Sequence, residues 1–557
     1  MLEKRDFYIN GAWVKPMDGR DCLVINPSTE EPVAVVSLGS EADCDAAVAA
    51  AKAAFPAWAA TPPAVRRAAV ERILQQYEAR KEELAHAISL EMGSPLKHAR
   101  EQQAPCLPWH AGNFLTAFDT LEWDRPLGNH APNDRIILEP IGVVGLITPW
   151  NWPMNQIALK VIPAILAGCT CVLKPSEESP LNAMIFAEFC HDAGLPPGVF
   201  NLVNGDGMGV GSRLSSHPDV EMISFTGSTR AGRAISKAAA ETLKRVTLEL
   251  GGKGANVVFD DADDRAVERG VRHMMDNTGQ SCNAPSRMLV QRGLYDKAVE
   301  IAAKVASEIK VGNALEEGPH IGPVVNKRQW EQIQGYIQKG IDEGARLVAG
   351  GPGLPDGFNR GYYVKPTVFA DVVPGMTIER EEIFGPVLCM IPFEDEADAI
   401  RIANDSPYGL THYVQSQDGA RRNRMARAQT VGAGEDALDR LEGHKQRRAI
   451  VMEPCPVPLS QGFEIPFLEA ALLHLGEPAL AVGRGGKFEI LAQAVQVRGR
   501  GDDGGRRALQ HLSQLARRDL VEVHIVQPQG LPIGHQGLRK RFFVAETKAP
   551  RALEFKR

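Results

Sequence analysis

The chain has 557 residues, 44% of them hydrophobic and 24% charged, and a net charge of −7. Those totals describe an ordinary globular protein of about three or four domain-sized units and give no sign of a nucleic-acid or acidic-membrane partner. The nine cysteines are irregularly spaced without a Cys-x-x-Cys pair, which argues against a zinc site or disulfide framework and for a reducing cytoplasm.

The N-terminus, MLEKRDFYINGAWV, has neither the apolar run nor the cleavage pattern of a signal peptide. No apolar stretch reaches the ~18 residues of a membrane span. FYINGAWV predicts a hairpin turning at Asn10-Gly11. The Ala-rich stretch before Trp58 predicts a helix. A longer helix is expected from Pro63, with Val70, Ile73, Tyr77, Leu84 and Ile88 roughly on one face and Gly93 as its stop.

From residue 136 strands and helices alternate. RIILEPIGVVGLITP reads as two buried strands around Glu139-Pro140, PMNQIALKVIPAILAG as a helix, TCVLKP as a strand and VEMISFTGS as a strand entering the next helix. Such alternation implies a parallel sheet with helices on both faces. A second α/β run starts near Gly251 and continues to about Gln429. Beyond it Gly and Arg recur and the alternation is lost.

Several positions could carry chemistry. Cys282 sits among Gly279, Gln280, Ser281 and Asn283, all small or polar. Either it is a loop cysteine with no task, or it is a nucleophile, which requires a base or positive electrostatic help. In RVTLELGGK, Val246, Leu248 and Leu250 alternate to one side of a strand, with Thr247 and Glu249 on the other. Two glycines follow, so a sharp turn is expected and Glu249 stands at a strand end, either solvated or catalytic. In TPWNWP, Asn151 lies on a rigid loop, as a loop cap or as a donor to a developing oxyanion. Lys174 and Glu177 are either a surface ion pair or a grip on two ribose hydroxyls. Gly227 and Gly232 flank a strand-to-helix junction, where a helix N-terminus accepts phosphate, although the spacing is not Gly-x-Gly-x-x-Gly.

The order TPWNWP, LKPSE, FTGST, LELGGK, GQSC, EEIFGPV closely resembles the signature set of the NAD(P)-dependent aldehyde dehydrogenase superfamily, from about Asp6 to Gln429. The resemblance implies an α/β protein. It would have a Rossmann-like NAD-binding domain (1–126 and 142–250), an oligomerisation hairpin (127–141), an α/β catalytic domain (251–429) and an irregular tail (430–557). It implies that Cys282 attacks the aldehyde carbon to give a thiohemiacetal, that hydride leaves for the nicotinamide, and that water hydrolyses the resulting thioester. Glu249 is then the general base, and Asn151 with the Cys282 N–H the oxyanion hole. The loop would be small and polar because aldehyde and nicotinamide must both approach the sulfur, and apolar packing would raise the thiol pKa.

By the same resemblance Trp150, Lys174, Ser176, Glu177, Gly227, Ser228, Gly232, Leu250, Glu382 and Phe384 contact the cofactor. Lys174 and Glu177 would meet the adenine ribose, Ser228 the pyrophosphate and Glu382 the nicotinamide ribose, with Phe384 nearby. Glu177 disfavours a 2′-phosphate, so NAD is expected over NADP, while Lys174 leaves NADP open. Trp152, Asn155, Gln156 and Leu159 would line the substrate tunnel. The implied substrate is a small-molecule aldehyde, with a catabolic aromatic, pyridine-bearing or aliphatic semialdehyde the favoured class. No metal, nucleic acid or membrane is implied, and a homodimer or homotetramer is.

After Gln429 the resemblance stops. Only GHKQ, Gly443 to Gln446, echoes the family's usual continuation, and the abrupt loss suggests a shifted reading frame. The lost segment would supply a tunnel wall and a strand of the oligomerisation sheet. The alternative reading is therefore a relative that keeps the cofactor site with weak or no activity.

Overall fold

The computed structural model describes residues 1–429 and the two-residue strand Ile450–Val451. GHKQ and the rest of the tail apart from that strand lie outside the described residues.

The opening hairpin pairs Phe7–Ile9 with Ala12–Val14, and Asn10 and Gly11 both take positive φ, the two-residue turn matched to strand twist. The helix Glu41–Ala59 starts with a capping box, in which Ser40 accepts from the Asp43 N–H and Asp43 returns the bond. Helix Pro63–Met92 ends at Gly93, whose φ of 83° is the left-handed stop that glycine takes most cheaply.

Two seven-stranded sheets position the site. The first runs, in spatial order, Arg245–Glu249, Met222–Thr226, Val143–Ile147, Thr170–Lys174, Phe200–Leu202, then the opening hairpin. Its first five strands are parallel. From Val143–Ile147 the chain steps outward to Thr170–Lys174 and Phe200–Leu202, then returns to the other side at Met222–Thr226. That reversal is a topological switch point, where open α/β sheets leave a crevice at the carboxyl ends of the strands. The second sheet runs Arg346–Ala349, Thr367–Ala370, Val387–Phe393, Arg287–Gln291, Ala255–Val258, Tyr413–Gln415 and Ile450–Val451. Only Arg346–Ala349 is antiparallel to its neighbour. One short strand thus falls in the stretch read as irregular tail.

The predicted alternation is present. Val246, Leu248 and Leu250 pack against the core of the first sheet, whereas Thr247 and Glu249 face a cavity. The hairpin expected at 127–141 pairs Asp124–Gly128 with Ala131–Ile137. It starts earlier because Asp124 and Arg125 pair with Ile137 and Ile136, and Arg135 binds Asp124 across the strands. Among the described residues no helix is long and apolar enough to cross a membrane.

Candidate active site

Three chain segments meet at Cys282. The first is the loop that carries it. Asn277 and Thr278 both adopt left-handed backbone, φ 48° and 57°. For β-branched Thr278 that conformation costs on the order of 1–3 kcal/mol and persists only where the surroundings over-determine it. Here they do. The Asn277 side chain donates to the Asn151 and Gln280 carbonyls and accepts from Gln103. Thr278 donates to the Gly322 carbonyl, and the buried Gln280 amide accepts from the Val325 N–H. The polar loop residues read as leaving room for reactants thus also act as internal scaffolding.

The second segment is TPWNWP, after strand Val143–Ile147. Asn151 is buried and donates through Nδ2 to the Gln280 carbonyl at 3.0 Å. One amide hydrogen therefore braces the Cys282 loop and the other remains to donate. The Trp152 indole N–H donates to Ser281 at 2.7 Å, tying this loop to the residue before Cys282.

The third is LELGGK. Neither Gly251 nor Gly252 has positive φ, so the reason for two glycines is close approach rather than the sharp turn expected. A Cβ on Gly251 would lie 2.2 Å from a Glu382 carboxylate oxygen, and one on Gly252 the same distance from the Cys282 carbonyl. The Glu249 strand end can reach the sulfur loop only without those side chains. Buried Arg287 holds the segment from behind, donating to the Lys253 carbonyl while paired to Glu379 at 3.0 Å.

These segments enclose a cavity of about 430 Å³. Cys282, Glu249 and all four predicted tunnel residues, Trp152, Asn155, Gln156 and Leu159, line it. Lys160 and the His98–Asp276 pair line it too, and sequence reasoning missed them. Lys160 had a readable signal, since it follows Gln156 by one helical turn. Asn151 is buried and not among the lining residues.

Most of the predicted cofactor residues follow the carboxyl ends of first-sheet strands, whereas Glu382 and Phe384 come from the loop before strand Val387–Phe393 of the second sheet. Lys174 pairs with Glu177 at 3.2 Å, and Ser176 accepts from the Glu178 N–H. Ser228 caps the helix Thr229–Ala240 through a bond from the Ala231 N–H. Leu250 packs in the core, close enough to Gly232 that a Cβ there would meet it at 2.7 Å. Trp150 meets Phe384 edge to face, centroids 5.5 Å apart. Glu382 accepts from the Gly252 N–H at 2.9 Å, and burial pushes its carboxyl up to about 7. The arrangement fits a dinucleotide lying across the switch point. A helix N-terminus at Ser228, Trp150 and the Lys174–Glu177 pair follow the neighbouring strands Met222–Thr226, Val143–Ile147 and Thr170–Lys174.

A sequence model described as the aldehyde dehydrogenase family matches residues 13–434. The chain belongs to the aldehyde dehydrogenase family. It is 50% identical over 438 residues to a 3-succinoylsemialdehyde-pyridine dehydrogenase of a Pseudomonas species, covering 78% of this chain and 90% of that protein. A crystal structure of aldehyde dehydrogenase from Bartonella henselae matches with TM-score 0.76 and 58% identity, over 77% of this chain and 90% of that one. A mutant of aldehyde dehydrogenase C from Pseudomonas syringae, in complex with NAD+ and octanal, matches with TM-score 0.74 and 50% identity, over 77% and 88% of the two chains.

One expectation for this dehydrogenase is corrected. The small polar loop was expected to spare the Cys282 thiol an upward shift. Instead burial first, then the Glu382 and Glu249 carboxylates, push it up to about 12. The loop's own polar side chains are turned into the protein, so they desolvate the sulfur instead of wetting it. Because that value lies above the working range, the thiolate fraction grows about tenfold per pH unit below it. Alkylation of Cys282 by iodoacetamide in the cofactor-free protein, followed by peptide mapping, is expected to accelerate about tenfold per unit between roughly pH 7 and 10. A plateau reached by about pH 8 would show a thiolate already formed.

Proposed function

We propose that this aldehyde dehydrogenase oxidises a catabolic semialdehyde to its carboxylic acid, with Cys282 as nucleophile and Glu249 as general base. The observation that carries the reading is that both line one cavity, with the sulfur too reluctant to ionise unaided. Glu249 takes the thiol proton as Cys282 Sγ attacks the carbonyl carbon. The second amide hydrogen of Asn151, with the Cys282 N–H, stabilises the oxyanion. Bound NAD supplies the hydride acceptor. Glu249 passes that proton to solvent, then draws a second one from the water attacking the thioester and hands it to the departing sulfur, which releases the acid and restores the thiol.

Lys174, Ser176, Glu177, Gly227, Ser228, Gly232 and Glu382 hold the cofactor, with Trp150, Leu250 and Phe384 packed beside it. The Glu177 carboxylate repels a 2′-phosphate and so favours NAD over NADP. The semialdehyde assignment rests on the named Pseudomonas relative and on the amides of Asn155 and Gln156 in the tunnel. We place the enzyme in the cytoplasm as a homodimer or homotetramer joined through the Asp124–Ile137 hairpin, where Leu127 and Ile137 expose apolar surface.

A panel of aliphatic, aromatic and oxo-bearing aldehydes, followed by NADH absorbance, tests the substrate class. The expected result is the highest kcat/KM on a semialdehyde. Higher kcat/KM on simple alkanals would contradict it.

A further inference from the structure

The helix Pro153–Ala167 is apolar apart from three residues: Asn155, Gln156 and Lys160. All three line the cavity, together with Trp152 and Leu159. The spacing 152, 155, 156, 159, 160 is one helical stripe, so every polar side chain of this helix falls on its cavity face. The rest of the helix is buried in the core.

Lys160 has a protein partner, donating to Ser224 at 3.3 Å. Gln156 is buried, and no described residue bonds its side-chain amide. Asn155 has one partner. His110 Nε2, on the helix Cys106–Asp119, lies 2.5 Å from Asn155 Oδ1. His110 is buried, and burial pushes its pKa down to about 4, so the ring is neutral. A neutral ring facing an amide oxygen carries its proton on Nε2 and donates. Trp109 packs edge to face on the ring at 4.5 Å. With Oδ1 engaged by His110, the Asn155 amide is held in one orientation and its NH2 opens to the cavity.

We propose that this tunnel selects aldehydes with a hydrogen-bond acceptor part-way along the chain, such as a ketone carbonyl, read by the Asn155 NH2, with His110 as the residue that positions it. The inference rests on the reading of this cavity as the aldehyde tunnel and narrows its substrate class. A purely aliphatic chain leaves the Asn155 and Gln156 amides dry and unpartnered, which is unfavourable, whereas an acceptor satisfies them.

The test uses the full 557-residue chain carrying Cys282→Ala, so that binding is measured without turnover. Pentanal and 4-oxopentanal differ by a mid-chain carbonyl, and quenching of tryptophan fluorescence reports binding. The oxo aldehyde is expected to bind about fivefold more tightly, the worth of one neutral hydrogen bond. Asn155→Leu is expected to abolish that preference, bringing the ratio of the two affinities to about one. His110→Phe keeps a buried ring without the N–H and is expected to reduce the preference, with His110→Gln restoring part of it. General damage to the fold would weaken both aldehydes alike, so the ratio separates positioning from structure. Equal binding of the two aldehydes by the tunnel with Asn155 and His110 intact would overturn the proposal, as would a preference that survives Asn155→Leu. A wild-type chain that turns over neither aldehyde contradicts the proposed function and leaves the binding ratio readable.

Discussion

Cys282→Ser is expected to lower NADH formation from any aldehyde by about 10³-fold or more, because it removes the atom that, in the proposed reaction, bonds the carbonyl carbon. Serine keeps the size and the hydrogen-bonding capacity of the position, so the loop should stay built. That loop is held by Asn277, Thr278 and Gln280 rather than by the sulfur. The hydroxyl is a far weaker acid than the thiol, and the burial that already pushes the thiol up to about 12 weighs on it as well. Thermal melting close to wild type, together with the lost rate, would assign the effect to chemistry. A modest loss would mean that another group attacks.

Glu249→Gln is the second large effect, with an expected loss of about 10²- to 10⁴-fold, the usual worth of a positioned base. Glutamine preserves the strand end and its cavity-facing side chain but cannot take a proton. The shape of the time course locates the step. A stoichiometric NADH burst followed by a slow rate means that acylation survives and water activation is lost. No burst, with partial recovery at alkaline pH, means that the thiol proton is what Glu249 removes, since hydroxide then replaces it. An unchanged rate would contradict both roles.

Much of this geometry is legible in local sequence, and the reason is periodicity. Alternation in RVTLE puts Glu249 opposite Val246 and Leu248, and the structure keeps that division. Strand Met222–Thr226 running into the helix capped by Ser228 is likewise local information. What sequence hides is long-range contact. Gly251 and Gly252 read as a turn, because the atoms that exclude a Cβ belong to Glu382 and Cys282, distant in the chain. Gln280 read only as a small or polar neighbour of Cys282, and Asn277 drew no reading, because their partners Gln103, Asn151 and Val325 come from other elements. The same distance hides the raised Cys282 thiol, which depends on what the folded chain packs around the loop. His110 was invisible for this reason, since its meaning comes only from Asn155 on the neighbouring helix.

The proposed reaction passes through a covalent acyl enzyme on one sulfur, which mass spectrometry of trapped protein can detect. Wild-type chain mixed with NAD and excess aldehyde, quenched in acid within the first turnover and digested, should yield the Cys282 peptide heavier by the acyl group of the matching acid. NADH released while that peptide stays unmodified, or acylation at a different cysteine, would contradict the account.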